Sequence, residues 1–256
     1  MKTGNLVIIA FSFLGLLFLL FRPSIDLLPE ASASKKAPIS AEQEVTTATT
    51  VLPSKGAENL KGIDVSFYQG DIPWSSIDHD GIAFAYVKAT EGVTLVDPQY
   101  KNNVAKLKST TIRHGSYHFF EPDDDAEKQV DFFLSNVNVG GQLPPVLDIE
   151  VSHGVSPASI KSSALIWLKA VESKTGCKPI IYTYKDFWET NLGSEFNDYP
   201  LWLADYADHP SLPNGVSSYI FWQHSQKGTV KGISGSVDLD VYPGTEDDLQ
   251  SLLCKS

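Results

Sequence analysis

The chain has 256 residues, 42% of them hydrophobic and 20% charged. That balance excludes wholesale disorder and leaves room for one large domain or two small ones. Twenty Lys and Arg stand against 31 Asp and Glu, a formal net charge of −11. A surface of that sign cannot neutralise phosphates, so a nucleic-acid partner is excluded. Two cysteines are too few for a disulfide-dense scaffold, a four-cysteine zinc site or an iron–sulfur cluster.

The first element is apolar. Leu6 to Phe21 carries no charge, comes after Lys2 and has Ser12 as its one polar residue. As a helix it would span about 24 Å, a little short of a ~30 Å hydrocarbon core. Two readings stay open: an uncleaved signal anchor, or a signal peptide cut near Ala31-Ser32-Ala33. Either one carries the remainder out of the cytoplasm, with membrane contact through this segment only. The next stretch, rich in Ala, Ser, Thr, Pro, Glu and Lys and free of aromatic residues until Phe67, cannot offset its chain entropy by burial. The expected layout is therefore residues 1–28 as signal anchor or signal peptide, 29–58 as a flexible linker, and 59–256 as a folded domain. Charges cancel over the first 53 residues, so the whole acidic excess belongs to residues 54–256.

From Lys61 onward short apolar runs alternate with amphipathic ones. Strands are predicted at 62–68, 82–90, 113–120 and 144–150, and again at 178–184, 199–206, 219–225 and 236–242. Helices are predicted at 73–80, 97–110, 123–137 and 156–176; the last has Ser156 as cap, Pro157 at its first position and Gly176 as its stop. Eight strands with helices between the earlier ones predict an α/β fold, a TIM-like (β/α) barrel that turns irregular over its last three strands.

Four of these strands hold or end in a carboxylate: Asp64, the pair Asp148 and Glu150, Asp205, and Asp238. A carboxylate within a barrel strand is costly unless it is paired, hydrogen-bonded or opened to a site at the barrel mouth. Side chains along a strand repeat every two residues, so Asp148 and Glu150 are expected on one side, with Cα atoms about 6.6 Å apart. Two carboxyls that close raise one another's proton affinity, which supplies a general acid beside a fixed negative charge. Glycoside cleavage needs that pairing. A D-x-E triplet is also common by chance, Asp64 could cap a turn, and Asp238 with Asp240 could be a solvated edge. Oxygen ligation of Mg²⁺ or Ca²⁺ is a rival use of the same groups.

The stretches KGIDVSFYQGDIPW, FAYVKATEGVTLVDPQYKNN, HGSYHFFEP, LPPVLDIE, LWLADY, FWQHS and GISGSVDLDVY together resemble the glycoside hydrolase family 25 lysozymes, the N-acetylmuramidases that cut bacterial peptidoglycan. The resemblance runs from about 61 to 244. It implies a barrel whose first five strands follow β/α alternation while the last three do not. It also implies Glu150 as the general acid and Asp148 as the residue that orients the substrate's 2-acetamido group, favouring an oxazolinium-like intermediate and net retention. Spacing alone leaves direct nucleophilic attack and inversion open. Asp64 and Asp238 match two further active-site aspartates, and Tyr117, Trp202 and Gln223 match positions near a sugar-binding groove, although Trp202 could equally belong to the core. His118 is placed near the site by the same motif. Two positions depart from the pattern: Asp240 stands where Asn is frequent, and Asp205 where a neutral polar residue is frequent, so Asp205 is given no catalytic role.

The implied partner is the peptidoglycan glycan strand, met by a monomer that requires no cofactor and no metal. His114, His118, His153, His209 and His224 are scattered without metal-ligand spacing and read as structural or exposed residues. Cys177 and Cys254 could pair in an oxidising compartment, but sequence does not give their separation. Two other functions stay open: an inert glycan-binding module on the same scaffold, and a hydrolase of another amino sugar polymer such as chitin.

Overall fold

The computed structural model describes residues 59–256, His79 excepted. The apolar segment and the linker lie outside these residues, as do the expected boundaries at 28 and 58. Among the described residues no helix is long and apolar enough to cross a membrane.

The eight predicted strands are all present, and a short ninth joins them. They are β1 (Leu60–Val65), β2 (Ile82–Glu91), β3 (Leu95–Val96), β4 (Arg113–Phe119), β5 (Val146–Asp148), β6 (Ile180–Tyr184), β7 (Leu201–Ala204), β8 (Phe221–Gly228) and β9 (Val237–Tyr242). The two-residue β3 folds back on the end of β2 as an antiparallel pair. The others close into a barrel in the order β1-β9-β8-β7-β6-β5-β4-β2, with β2 paired to β1. Seven strands run parallel, and β9 runs antiparallel to both of its neighbours, β8 and β1. The structure is thus a mixed barrel, irregular where the helical sequence thins out.

Helices α1 (Trp74–Ile77), α2 (Tyr100–Leu107), α3 (Ala126–Asn136) and α4 (Pro157–Thr175) come after β1, β3, β4 and β5 respectively. Their ends obey local chemistry. Asp125 and Ser156 accept hydrogen bonds from the third backbone N–H of α3 and α4, and Gly176 closes α4 in the left-handed conformation at φ 67°. After β6 a short α5 (Lys185–Phe187) runs into a π-helical turn at Trp188–Leu192. Among the described residues no α-helix lies between β7 and β9; α6 (Glu246–Ser251) comes after β9.

Period-two alternation divides each strand between two cores. Odd residues of β1 and β2, among them Ile63, Val65, Ala85 and Val87, pack outward in the layer that includes Trp167 and Phe133 of the helices. Phe84, Tyr86, Val146, Ile180, Tyr182, Trp202 and Phe221 fill the barrel interior. That interior is tight: a Cβ built on Gly62 would stand 2.2 Å from the Phe84 ring. Only glycine leaves the ring its place there.

The barrel floor is tied by a bridge between Cys177, just before β6, and Cys254, with Cα atoms 5.5 Å apart and a separation of 77 positions in sequence. The Cys254 N–H donates to the Gln142 carbonyl at 2.8 Å and its carbonyl accepts from the Gly141 N–H at 3.0 Å, so the tail is laced to the segment entering β5. Both half-cystines are buried.

Candidate active site

Parallel strands all end at one rim of a barrel, and β9, running the other way, begins there. Asp64, near the end of β1, and Asp238, near the start of β9, are consequently cross-strand partners. Asp148 is the last residue of β5. Glu150 lies two residues beyond the strand, where the Ile149 N–H still donates to the Tyr182 carbonyl at 3.0 Å. The extended path continues, and both members of the D-x-E line one cavity of about 220 Å³ together with Asp64 and Asp238. Tyr117, Trp202 and Gln223 line it too.

The predicted positions play distinguishable parts in this geometry. Gln223 is buried and donates from Nε2 to Asp64 Oδ2 at 2.7 Å, while its Oε1 accepts from the hydroxyls of Tyr182 (2.9 Å) and Tyr206 (2.8 Å). It fixes one oxygen of Asp64 and is itself fixed from two sides. Trp202 is a floor rather than an open platform: 1% exposed, with its ring centroid 4.8 Å from that of Tyr86 and 5.1 Å from that of Tyr182. Its Nε1 donates to Asp240 Oδ1 at 3.0 Å. Asp205 instead shapes the loop after β7, accepting from the Ser211 N–H at 2.8 Å and the Ala207 N–H at 3.2 Å.

His118 is structural, as its scattered placement suggests, and does not reach the site near which the motif puts it. With Tyr117 facing inward on β4, its neighbour must face outward. His118 is fully buried between barrel and helices, stacked 5.6 Å from Trp167, with Nδ1 2.8 Å from Thr90 Oγ1 and Nε2 2.9 Å from Gln129 Oε1. Burial lowers its pKa to about 4, so it is a neutral packing residue at physiological pH.

Several site residues were not singled out from sequence. Among the described residues Lys88 is the one cation lining the cavity; its Nζ lies 2.5 Å from Glu91 Oε2 and 4.7 Å above the Phe119 ring. The signal was present: Phe84, Tyr86 and Lys88 share the inward face of β2 at period two. Tyr68, on the 3₁₀ turn after β1, is 79% exposed at the cavity edge. That turn is held by the Ser66–Gln69 capping box and by Asp97, whose Oδ2 accepts from the Phe67 N–H at 2.8 Å.

The electrostatics arise from crowding acids into a half-closed space. Burial first, then the Glu150 charge, raises the pKa of Asp148 well above the carboxylate range. Burial and then Asp238 raise that of Glu150, and Lys88 opposes the rise in both. Burial raises Asp238 to about 6. Asp148 Oδ1 is buried and meets no donor among the described residues, which adds to the cost of ionising this carboxyl. The cluster can therefore hold protons near neutrality, present one to a leaving oxygen and keep neighbouring negative charge beside a developing cation.

Away from the cavity, Glu121, Asp123 and His153 bring potential ligand atoms within 4.8 Å of one another. His153 Nδ1 stands 3.0 Å from Glu121 Oε2 and 3.3 Å from Asp123 Oδ1, but Glu121 Oε2 makes no hydrogen bond among the described residues.

Comparisons with known proteins identify the family and agree with the fold. The family model described as glycosyl hydrolases family 25 matches residues 63–233. The chain is 40% identical over 200 residues to the uncharacterized protein YegX of Escherichia coli strain K12, covering 76% of this chain and 73% of that one. It is 34% identical over 212 residues to Lysozyme M1 of Streptomyces globisporus, covering 75% and 71% respectively. Among solved structures, the bacterial lysozyme from Streptomyces coelicolor superposes with a TM-score of 0.73 at 33% identity, over 77% of this chain and 98% of that one. The chain is a glycoside hydrolase and belongs to glycosyl hydrolases family 25.

Proposed function

We propose that this hydrolase is an N-acetylmuramidase. It cleaves the β-1,4 bond between N-acetylmuramic acid and N-acetylglucosamine in peptidoglycan, with Glu150 as general acid. The observation that carries the reading is the convergence of Asp64, Asp148, Glu150 and Asp238 on one open cavity whose lining, among the described residues, includes a single cation. Glu150 is the less buried member of the D-x-E and so the better placed to meet a glycosidic oxygen. Asp148, which lines the same cavity, suits the N–H of a 2-acetamido group. Accepting that hydrogen bond favours ionised Asp148 and leaves the pair's proton on Glu150, where the leaving oxygen requires it. The same contact turns the acetamido oxygen toward the anomeric carbon, which fits retention through an oxazolinium-like intermediate. Asp64, held by Gln223, and Asp238 keep negative charge beside the oxocarbenium-like transition state. Tyr117 gives the sugar an aromatic wall, with Trp202 as the buried floor beneath it.

The acidic domain is read as a monomer that works outside the cytoplasm, held to the membrane by residues 1–28 through the 29–58 linker or released after cleavage. Relatives named as an autolytic lysozyme and Lysozyme M1 support this placement.

Digestion of purified peptidoglycan tests the assignment. Mass spectrometry of the new reducing ends should show muramic acid; glucosamine ends or preferential cleavage of chitin would replace the muramidase reading. Binding without cleavage would favour the inert module. Glu150→Gln should lower turnover by at least about 10³-fold while circular dichroism stays native, since a general acid and its charge state are both lost. Substantial residual turnover would remove Glu150 from the role.

A further inference from the structure

Asp240 is a buried acid that the proposed reaction does not use. It sits on the inward face of β9, 1% exposed, with Cα partners Gly62 on β1 and Gln223 on β8. One oxygen is accounted for: Oδ1 accepts from Trp202 Nε1 at 3.0 Å. The other, Oδ2, meets no N–H or hydroxyl donor among the described residues. Diagonally across the ladder lies Asp64, two residues along β1 from Asp240's partner Gly62 and on the same inward face, so the two carboxyls are neighbours in contact range. Two carboxylates are both acceptors, so that contact is a hydrogen bond only when one of them keeps its proton.

Which one keeps it is decided by the partners. Asp64 accepts a strong, short hydrogen bond from Gln223 Nε2 at 2.7 Å and reaches the open cavity. Asp240 has one indole donor and no opening onto that cavity. We propose that Asp240 is carried as the neutral acid, its hydroxyl donating to Asp64, so that the two share one proton and Asp240 acts as a positioning residue for the Asp64 carboxylate. The chain of contacts then runs Trp202 to Asp240 to Asp64, met from the other side by Gln223 with Tyr182 and Tyr206 behind it. Each oxygen of Asp64 then has a donor, and its orientation in the cavity is set from β9 and from β8 beyond it.

The surroundings supply nothing to neutralise a second charge. The titratable groups facing this spot are Asp64 on β1, Tyr86 and Lys88 on β2, and Tyr182 on β6, with Asp238 and Tyr242 on β9 itself. Across the cavity lie Tyr117 on β4 and Asp148 and Glu150 at the end of β5. From β7 and β8 come only uncharged Trp202 and Gln223. The Tyr86 hydroxyl donates to the Pro144 carbonyl at 3.1 Å, and Lys88 is paired with Glu91. An unpaired charge buried in such a place is costly, and the group neutralises instead. Burial, together with the charge of Asp64 as the next largest cause, pushes Asp240 in the same direction.

The inference rests on the muramidase reading for the use of Asp64, but its test does not involve hydrolysis. A folded state that keeps a proton the unfolded chain would release above about pH 4 loses stability as pH rises. Asp240→Asn replaces a neutral acid by a near-isosteric neutral donor. In the full chain D240N should melt above wild type by a margin that widens from pH 4 to pH 7. The infrared difference spectrum at pH 6 should show the loss of one neutral carboxylic carbonyl band. A constant margin with no lost band overturns the proposal, and so does a D240N protein that fails to fold, because a required charge and not a proton would then occupy the site.

Discussion

The bridge between Cys177 and Cys254 permits a worked prediction, because it closes a long loop far from the chemistry. Its half-cystines are 77 residues apart, for which loop-closure entropy gives about 4.5 kcal/mol of destabilisation of the unfolded chain at 25 °C. A domain of about 200 residues unfolds with an entropy near 0.4 kcal/mol/K, so the double variant Cys177→Ser/Cys254→Ser should melt roughly 10 °C lower. Both residues lie at the floor, where β6 begins and the tail meets Gln142, while the acids gather at the opposite rim. Turnover of peptidoglycan at 25 °C should stay within about twofold of wild type, well below the new melting point. Calorimetry with and without reductant measures the first effect, and a soluble-muropeptide assay the second. A shift below about 2 °C would show that the bridge constrains little in the unfolded chain. An equal loss of activity at 25 °C would show that floor and rim are coupled, and would refute their separation.

Three other outcomes are expected from the electrostatics. Lys88 opposes the rise in the proton affinities of Asp148 and Glu150, so Lys88→Met should move the pH profile of kcat/KM toward alkaline values. Asp238→Asn, which removes the charge that raises Glu150, should move it toward acid; shifts of the same sign would contradict the assignment. His118 is held neutral down to about pH 4 against an ordinary value of 6.5. Its contribution to stability is complete above pH 6.5 and is lost as pH falls toward 4, a total of about 3 kcal/mol. His118→Gln should flatten that part of the denaturation midpoint against pH, and a slope unchanged from wild type would exclude His118 as its source.

Much of the architecture was legible because barrel strands and covering helices carry opposite periodicities. The α4 stretch shows the helical case, with cap, opening Pro and closing Gly. The site was legible where an acid interrupts an apolar run, as at Asp64, Asp148 and Asp238, since burial makes such a residue conspicuous. Lys88 was overlooked although the spacing of Phe84 and Tyr86 puts it on the same face. His118 was misplaced because a motif neighbour of Tyr117 must, in a strand, point the opposite way. β3 is two residues long, too short for any periodic signal.

Local pattern alone determined that eight strands alternate with helices early and not late, and that acids sit where strands end. It could not determine the direction of β9. Strand direction depends on pairing between residues nearly 180 positions apart, such as Asp64 with Asp238, and no window of sequence contains both. Only closure of the barrel brought the start of β9 to the rim where the other strands finish. Only there does Asp238 join Asp64, and only there does Asp240 lie against a second carboxyl. The two half-cystines likewise meet because the tail returns to the floor, a path set by packing of the whole chain and not by either cysteine's surroundings.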